Sequence, residues 1–289
     1  MTRTTEEIRE LSRLTKEEWR EYTKTVWHIA NVTDSEHPAV FPAEIPRRLI
    51  KMFSFIEETV LDPFAGIGTT GLAALELKRR AICVEQNEAF AARISQETET
   101  SAFIEVVVGD SRNMAFLTDD SVDLIVTSPP YWNKADYGGN GSNLGNVSGY
   151  REFFQTIRPS FEECLRVLRP GRKLCVVTAN VNQHTEFGLL TFPLPADLTL
   201  LLRDIGFLPI ADVIWSKDGT GGRWGSWGTQ RPIFGSYPYP PNFLFKTVHE
   251  HVLIFAKQPE RRTRGPKVVS YRSLMELPPQ APAPLEAGS

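Results

Sequence analysis

From Arg47 onward the hydrophobic positions switch period repeatedly along the chain. Leu49, Ile50 and Phe53 recur at helical spacing over 47–55, and the short apolar run 59–61 then predicts a strand. The alternation continues with a helix over 69–77, a strand over 81–85, a helix over 87–98, and strands over 104–109 and 122–127. Phe153, Phe154, Ile157, Phe161, Cys164 and Leu165 mark the inner side of a helix over 150–168, followed by a strand over 173–179, a helix over 195–205 and a strand over 208–215. Strands alternating with helices predict an α/β fold, a doubly wound and mostly parallel sheet of seven strands. The last apolar run, 249–257, follows no helix, so it is expected to lie antiparallel to 208–215 with a long insertion, 216–248, at the tip. Ahead of the sheet, the boxes Thr4 with Glu7 and Thr15 with Glu18 predict helices over 4–13 and 15–26. Residues 31–46, with three prolines, read as irregular.

Composition narrows the class. The chain has 289 residues, 41% hydrophobic and 23% charged, which suits one large core. Residues 1–258 are expected to form a single domain, with 259–289, rich in Pro and Ala, as a loosely held tail. No apolar stretch approaches the roughly 18 to 20 residues of a membrane span, and no apolar signal core follows Met1, so a cytoplasmic location without membrane contact is expected. Cys83, Cys164 and Cys175 are spaced unlike a metal knuckle and read as reduced, buried thiols, with no metal site. The net charge is -3, but residues 207–267 carry nine Lys plus Arg against four Asp plus Glu. Charge segregated in this way fits one polyanion-facing side.

Two phrases carry the chemistry. In the first, Asp62-Pro63-Phe64-Ala65-Gly66-Ile67-Gly68-Thr69-Thr70, a strand enters a glycine turn and then a helix. Gly66 and Gly68 allow a sharp turn close to a ligand, and the helix start offers amides to an anion. The spacing is not that of a dinucleotide fingerprint, which disfavours hydride chemistry. Glu85 closes the next strand, where a carboxylate can accept from both ribose hydroxyls, and Asp110, followed by Ser111, is placed to accept from an adenine amine. In the second phrase, Ser128-Pro129-Pro130-Tyr131, two prolines remove two amide donors and leave the Pro129 carbonyl to face a cleft. With the Ser128 hydroxyl beside it and Tyr131 or Trp132 as a stacking face, the group suits an amino nitrogen on an aromatic ring.

These phrases resemble the S-adenosylmethionine-dependent DNA amino-methyltransferases, which modify cytosine N4 or adenine N6. The 62–70 phrase looks like their cofactor motif and Ser128 to Tyr131 like their catalytic tetrapeptide, with Ser in first position more typical of the cytosine-N4 members. Phe41-Pro42, opening the segment 41–50, is similar to the part that packs against the methionine end of the cofactor. The resemblance covers about 26–257 and implies a Rossmann-like class I methyltransferase fold. It assigns Phe41, Pro42, Asp62, Phe64, Ala65, Gly66, Gly68, Thr69, Thr70, Glu85, Asp110 and Ser111 to S-adenosylmethionine, and Ser128, Pro129, Pro130 and Tyr131 to transfer. It further implies double-stranded DNA as substrate, a flipped-out base, and a restriction-modification setting in which a cognate endonuclease acts on the same site. The cofactor motif precedes the catalytic one here, a circular permutation of the order in many relatives with similar wording.

Target recognition is expected in two insertions, 133–149, rich in Gly and Asn, and the aromatic and basic 216–248. Lys134, Lys217, Arg223, Trp224, Trp227 and Arg231 are the candidate DNA contacts, with Trp215 and Lys217 at the pocket edge. Three other readings remain open at this point: adenine-N6 transfer, an RNA base substrate, and a catalytically silent nucleic-acid-binding protein.

Overall fold

The computed structural model describes residues 3–32, 40–98, 101–132, 147–217, 236, 238–241, 245, 247–261, 263 and 268–275. Both threonine boxes close as helix caps. Thr4 starts α1 (Thr5–Leu11) and Thr15 starts α2 (Lys16–Tyr22), each hydroxyl accepting the amide of its glutamate while that carboxylate accepts the threonine amide. The expected continuation of the second helix to Val26 does not occur. Val26–His28 is instead a strand, β1, whose Trp27 is buried and whose residues pair in parallel with Ile214, Trp215 and Ser216. Arg48 stacks over the Tyr22 and Trp27 rings and fastens this corner to α3 (Glu44–Phe53).

The remaining elements follow the expected alternation. They are β2 (Thr59–Asp62), α4 (Thr69–Glu76), β3 (Arg80–Glu85), α5 (Glu88–Thr98), β4 (Ile104–Val108), β5 (Val122–Thr127), α6 (Tyr150–Val167) and β6 (Leu168–Thr178). A hairpin comes next, β7 (Val181–Thr185) with β8 (Gly188–Phe192), then α7 (Leu194–Ile205), β9 (Leu208–Ser216) and β10 (His249–Ala256). The sheet order is β1-β9-β10-β6-β5-β2-β3-β4, eight strands where seven were expected, because β1 adds an edge. β10 is antiparallel to both β6 and β9, and the other pairs are parallel. The expected antiparallel ending is therefore present, and β10 lies inside the sheet. The chain divides into two units, Met1–Gln258 and Pro259–Ser289, the second holding the short helix α8 (Tyr271–Met275).

The period of two in the central strands explains how both faces are covered. Leu61 and Ile125 point into a core with Phe153, Ile157 and Phe161 of α6 and Leu198 and Leu202 of α7. Their neighbours Val60 and Leu124 point into a second core with Leu49 and Ile50 of α3 and Ala73 and Ala74 of α4. α4 sits very close to the sheet at Gly71, where a Cβ would stand 2.5 Å from Cys83 Sγ and 3.1 Å from Ile104 Cδ1. Gly71→Ala should therefore destabilise the fold. Overpacking costs roughly 1 to 3 kcal/mol, more than the ~1 kcal/mol of helix propensity that alanine returns. Denaturant unfolding of the variant checks this, and an unchanged midpoint would mean that α4 has room to spare.

Candidate active site

β2 and β5 lie side by side, with Val60 opposite Leu124 and Leu61 opposite Ile125. From this pair the strands proceed outward in opposite directions, to β3 and β4 on one side and to β6 on the other. Open α/β sheets hold ligands at such a switch point, beyond the carboxyl ends of the strands. The glycine turn leaves β2 there, and the Ser128 to Trp132 segment leaves β5 beside it.

A buried carboxylate ties the two together. Asp62, 2% exposed, accepts at Oδ1 both the Phe64 amide (3.1 Å) and the Thr127 hydroxyl (2.7 Å). Burial pushes its carboxyl up to about 6 against the pull of those two donors, and the Glu85 charge adds to the rise. Glu85 holds the turn from β3. Its Oε2 accepts the Gly66 amide at 2.7 Å and its Oε1 the Asn87 amide at 2.8 Å, and burial also raises this carboxyl although these amides and that of Gln86 oppose it. Gly66 and Gly68 have φ of 54° and 85°, the left-handed region, and a Cβ on Gly68 would meet Ile94 at 2.8 Å. Gly68 is the N-cap of α4, with no side chain to cap the helix amides. Phe64 sets its ring edge to face against Phe161, Thr70 is buried and Thr69 half-buried, and Ala65 donates its amide to the Val84 carbonyl. Phe41 packs against the α3 core, and the Pro42 carbonyl accepts the Ile45 amide at the entry to α3.

On the other side of the switch point Ser128 is half-buried, Pro129 and Tyr131 are buried, and Pro130 is half-buried. The Tyr131 hydroxyl donates to Glu250 Oε2 on β10 at 2.9 Å. Glu250 Oε1 accepts from Lys217 Nζ at 2.5 Å, and that ammonium lies 4.4 Å from the centre of the Trp215 ring.

The DNA methylase family model matches residues 2–97 and 122–281. The chain belongs to the DNA methylase family. Among curated proteins, the Type II methyltransferase M.MjaI of Methanocaldococcus jannaschii is 49% identical over 84 residues, 27% of each chain. M.BglI of Bacillus subtilis is 36% identical over 97 residues, 33% of this chain and 28% of that one. M.MjaVI of M. jannaschii is 25% identical over 162 residues, 55% of this chain and 75% of its own. This chain thus spans about a quarter of the length of the first two relatives. Of solved structures, the Thermus thermophilus protein TTHA0409, in complex with S-adenosyl-L-methionine, is 31% identical with a TM-score of 0.39, covering 59% of this chain and 61% of that one.

In this family member several expected site residues are engaged by neighbouring side chains. Asp110 is engaged by Arg112, whose guanidinium and amide bond both carboxylate oxygens at 2.6 to 3.0 Å; burial works to raise the carboxyl, yet Arg112 holds it below its ordinary value. An adenine amine would therefore share this carboxylate with a cation. Ser111 is buried and shares a hydrogen bond with Ser160 of α6 at 2.9 Å. Trp132 is not an open stacking face, since Tyr150 and Phe192 cover it at centroid distances of 5.0 and 4.8 Å. Lys217 is 8% exposed and its ammonium is paired with Glu250. Lys134, Arg223, Trp224, Trp227 and Arg231 lie outside the described residues, as does most of both insertions. Among the described residues no group of His, Cys, Asp and Glu is arranged to hold a metal, and no helix is long and apolar enough to cross a membrane.

Proposed function

We propose that this chain is a site-specific DNA methyltransferase that moves the methyl group of S-adenosylmethionine to the exocyclic N4 of a flipped-out cytosine in duplex DNA. Its setting is a restriction-modification system with a cognate endonuclease. The supporting observation is the Asp62–Thr127 bond at the switch point, which fastens the glycine turn to the strand that presents Ser128.

The residues suit the cofactor. Gly66 and Gly68 keep the turn free of side chains, and Glu85, whose carboxylate accepts the Gly66, Asn87 and Gln86 amides, would offer its remaining acceptor capacity to the ribose hydroxyls. Asp62 is a buried carboxylate whose ionisation the charge of half-buried Glu85 makes costlier, a cost that a sulfonium cation nearby would relieve. When bound, the cofactor supplies an electrophilic methyl group. Ser128 Oγ and the Pro129 carbonyl would accept the two amine hydrogens, which would take the nitrogen lone pair out of conjugation with the ring and leave it free for an electrophile. Ser128 Oγ would accept a hydrogen bond from the amine proton that must be lost to solvent. Cytosine is favoured over adenine by the serine of the tetrapeptide and the threonine before it.

The Asp62 carboxyl sets a pH dependence for cofactor binding. A cation prefers the ionised carboxylate, so affinity should be full above about pH 6 and fall by up to about tenfold per unit below it. S-adenosylhomocysteine, which lacks the sulfonium charge, should show a flatter profile, as should Asp62→Asn with either ligand. Calorimetry from pH 5 to 8 tests both points. Parallel profiles for the two ligands would remove Asp62 from the cation's surroundings, and no binding at any pH would remove the cofactor.

A further inference from the structure

The catalytic loop has an unusual anchoring problem. Pro129 and Pro130 have no amide hydrogens, so two of the three residues from Ser128 to Pro130 can donate nothing to a backbone ladder. Side chains hold it at both ends. Thr127 is bonded to Asp62 at one end, and Tyr131 to Glu250 at the other. Glu250 comes from β10, where it stands opposite Trp215, and its second oxygen is occupied by Lys217 just past the end of β9. Lys217 in turn donates its amide to the Val248 carbonyl at 2.8 Å, which fixes its backbone to the residue before β10. Tyr131, Lys217 and Glu250 are each 9% exposed or less.

An ion pair is an expensive way to fill such a space, because an apolar pair of similar volume avoids the desolvation cost. What an apolar pair cannot do is fix a phenol hydroxyl. With Lys217 on Oε1, Glu250 presents Oε2 to Tyr131 in one orientation.

We propose that Glu250 is a positioning residue for methyl transfer, acting through the Tyr131 hydroxyl to set the far end of the Ser128–Pro130 loop, with Lys217 holding Glu250 in place. This inference rests on the reading of Ser128 to Tyr131 as the transfer motif. Because Glu250 touches no reacting atom, its removal should lower turnover and leave cofactor binding alone. It should also be silent once the Tyr131 hydroxyl is gone.

The test uses the full chain and duplex DNA. Replacing the whole ion pair (Lys217→Met with Glu250→Met) leaves no buried charge uncompensated and should fold. Turnover should fall by about 10- to 100-fold, while the KM for S-adenosylmethionine stays within about twofold. Tyr131→Phe should show a similar loss, and adding it to the Met pair should lower turnover no further. Glu250→Gln is the second variant. Alone it sets an amide donor against either Lys217 or the tyrosine hydrogen, so turnover should drop; with Lys217→Met the amide can turn its carbonyl to Tyr131, and most of the turnover should return. Wild-type turnover in the Met pair, a multiplied loss with Tyr131→Phe, or no rescue by Lys217→Met with Glu250→Gln would each overturn the proposal. A readout independent of transfer is the carbon NMR signal of the hydroxyl-bearing Tyr131 ring carbon, identified by its absence in Tyr131→Phe. It should shift in the Met pair and return toward the wild-type position in the Lys217→Met, Glu250→Gln chain; an unmoved signal overturns the positioning contact. A wild-type chain that transfers no methyl group defeats the functional reading separately, and the NMR signal then decides the positioning contact.

Discussion

Ser128→Ala is expected to lower turnover by about 10² to 10³-fold, the effect of removing one prearranged polar contact to the reacting group. The cofactor dissociation constant should stay within about twofold. The difference follows from the placement of the residue. The glycine turn is held by Asp62 and Glu85, and no hydrogen bond of that turn passes through the Ser128 side chain. The Pro129 carbonyl survives the substitution, so a residual rate should persist. Single-turnover methyl transfer and calorimetry on the same preparation separate the two effects. An equal loss of transfer and of cofactor affinity would place Ser128 in the cofactor site.

Glu85→Ala should have the opposite profile, a loss of affinity with chemistry little affected at saturation. In the proposed reading the carboxylate has two jobs: it accepts the Gly66, Asn87 and Gln86 amides, and its remaining acceptor capacity would serve the ribose hydroxyls. Hydrogen bonds to a charged group are worth roughly 1.5 to 3 kcal/mol each, so losing the two ribose contacts corresponds to about 10² to 10⁴-fold in affinity. Glu85→Gln should rescue little, because its NH2 group would meet a backbone amide donor to donor. Calorimetry with both variants checks this, and an unchanged dissociation constant in Glu85→Ala would separate the carboxylate from the cofactor.

The parts of this fold that were legible in the sequence are those governed by local pattern. The two threonine caps, the strand over 122–127 and the amphipathic face of α6 depend on residues within a few positions of one another. β1 is hidden for the opposite reason: three residues cannot show a period, and Val26–His28 becomes a strand only because β9, far along the chain, lies beside it. The β7–β8 hairpin is masked by its own solvation. Its residues are mostly exposed, including the adjacent Leu189 and Leu190, so no apolar-polar alternation marks β8, and the usable signal is Gly188 at the turn, whose φ is 97°.

The site divides in the same way. The glycine turn, Glu85 and the proline pair could be read from spacing, whereas the contacts that assemble them could not. Thr127 with Asp62, and Tyr131 with Glu250, join residues brought together only by strand order. The engagement of Asp110 is different. Asp110-Ser111-Arg112 places a guanidinium two residues after the carboxylate inside one turn, and that pairing is readable from the sequence. Lys217 is expected at the pocket edge as a DNA contact, and its burial against an acid supplied by β10 is not readable from the sequence, because Lys is ordinarily solvated.

The central claim is transfer to cytosine N4. Duplex DNA incubated with the chain and isotope-labelled S-adenosylmethionine, then digested to nucleosides and resolved by mass, should show the label in N4-methylcytosine and should show none when Ser128→Ala replaces the wild type at matched short times. Label in N6-methyladenine or on a ring carbon, or no labelled nucleoside at all, would contradict it.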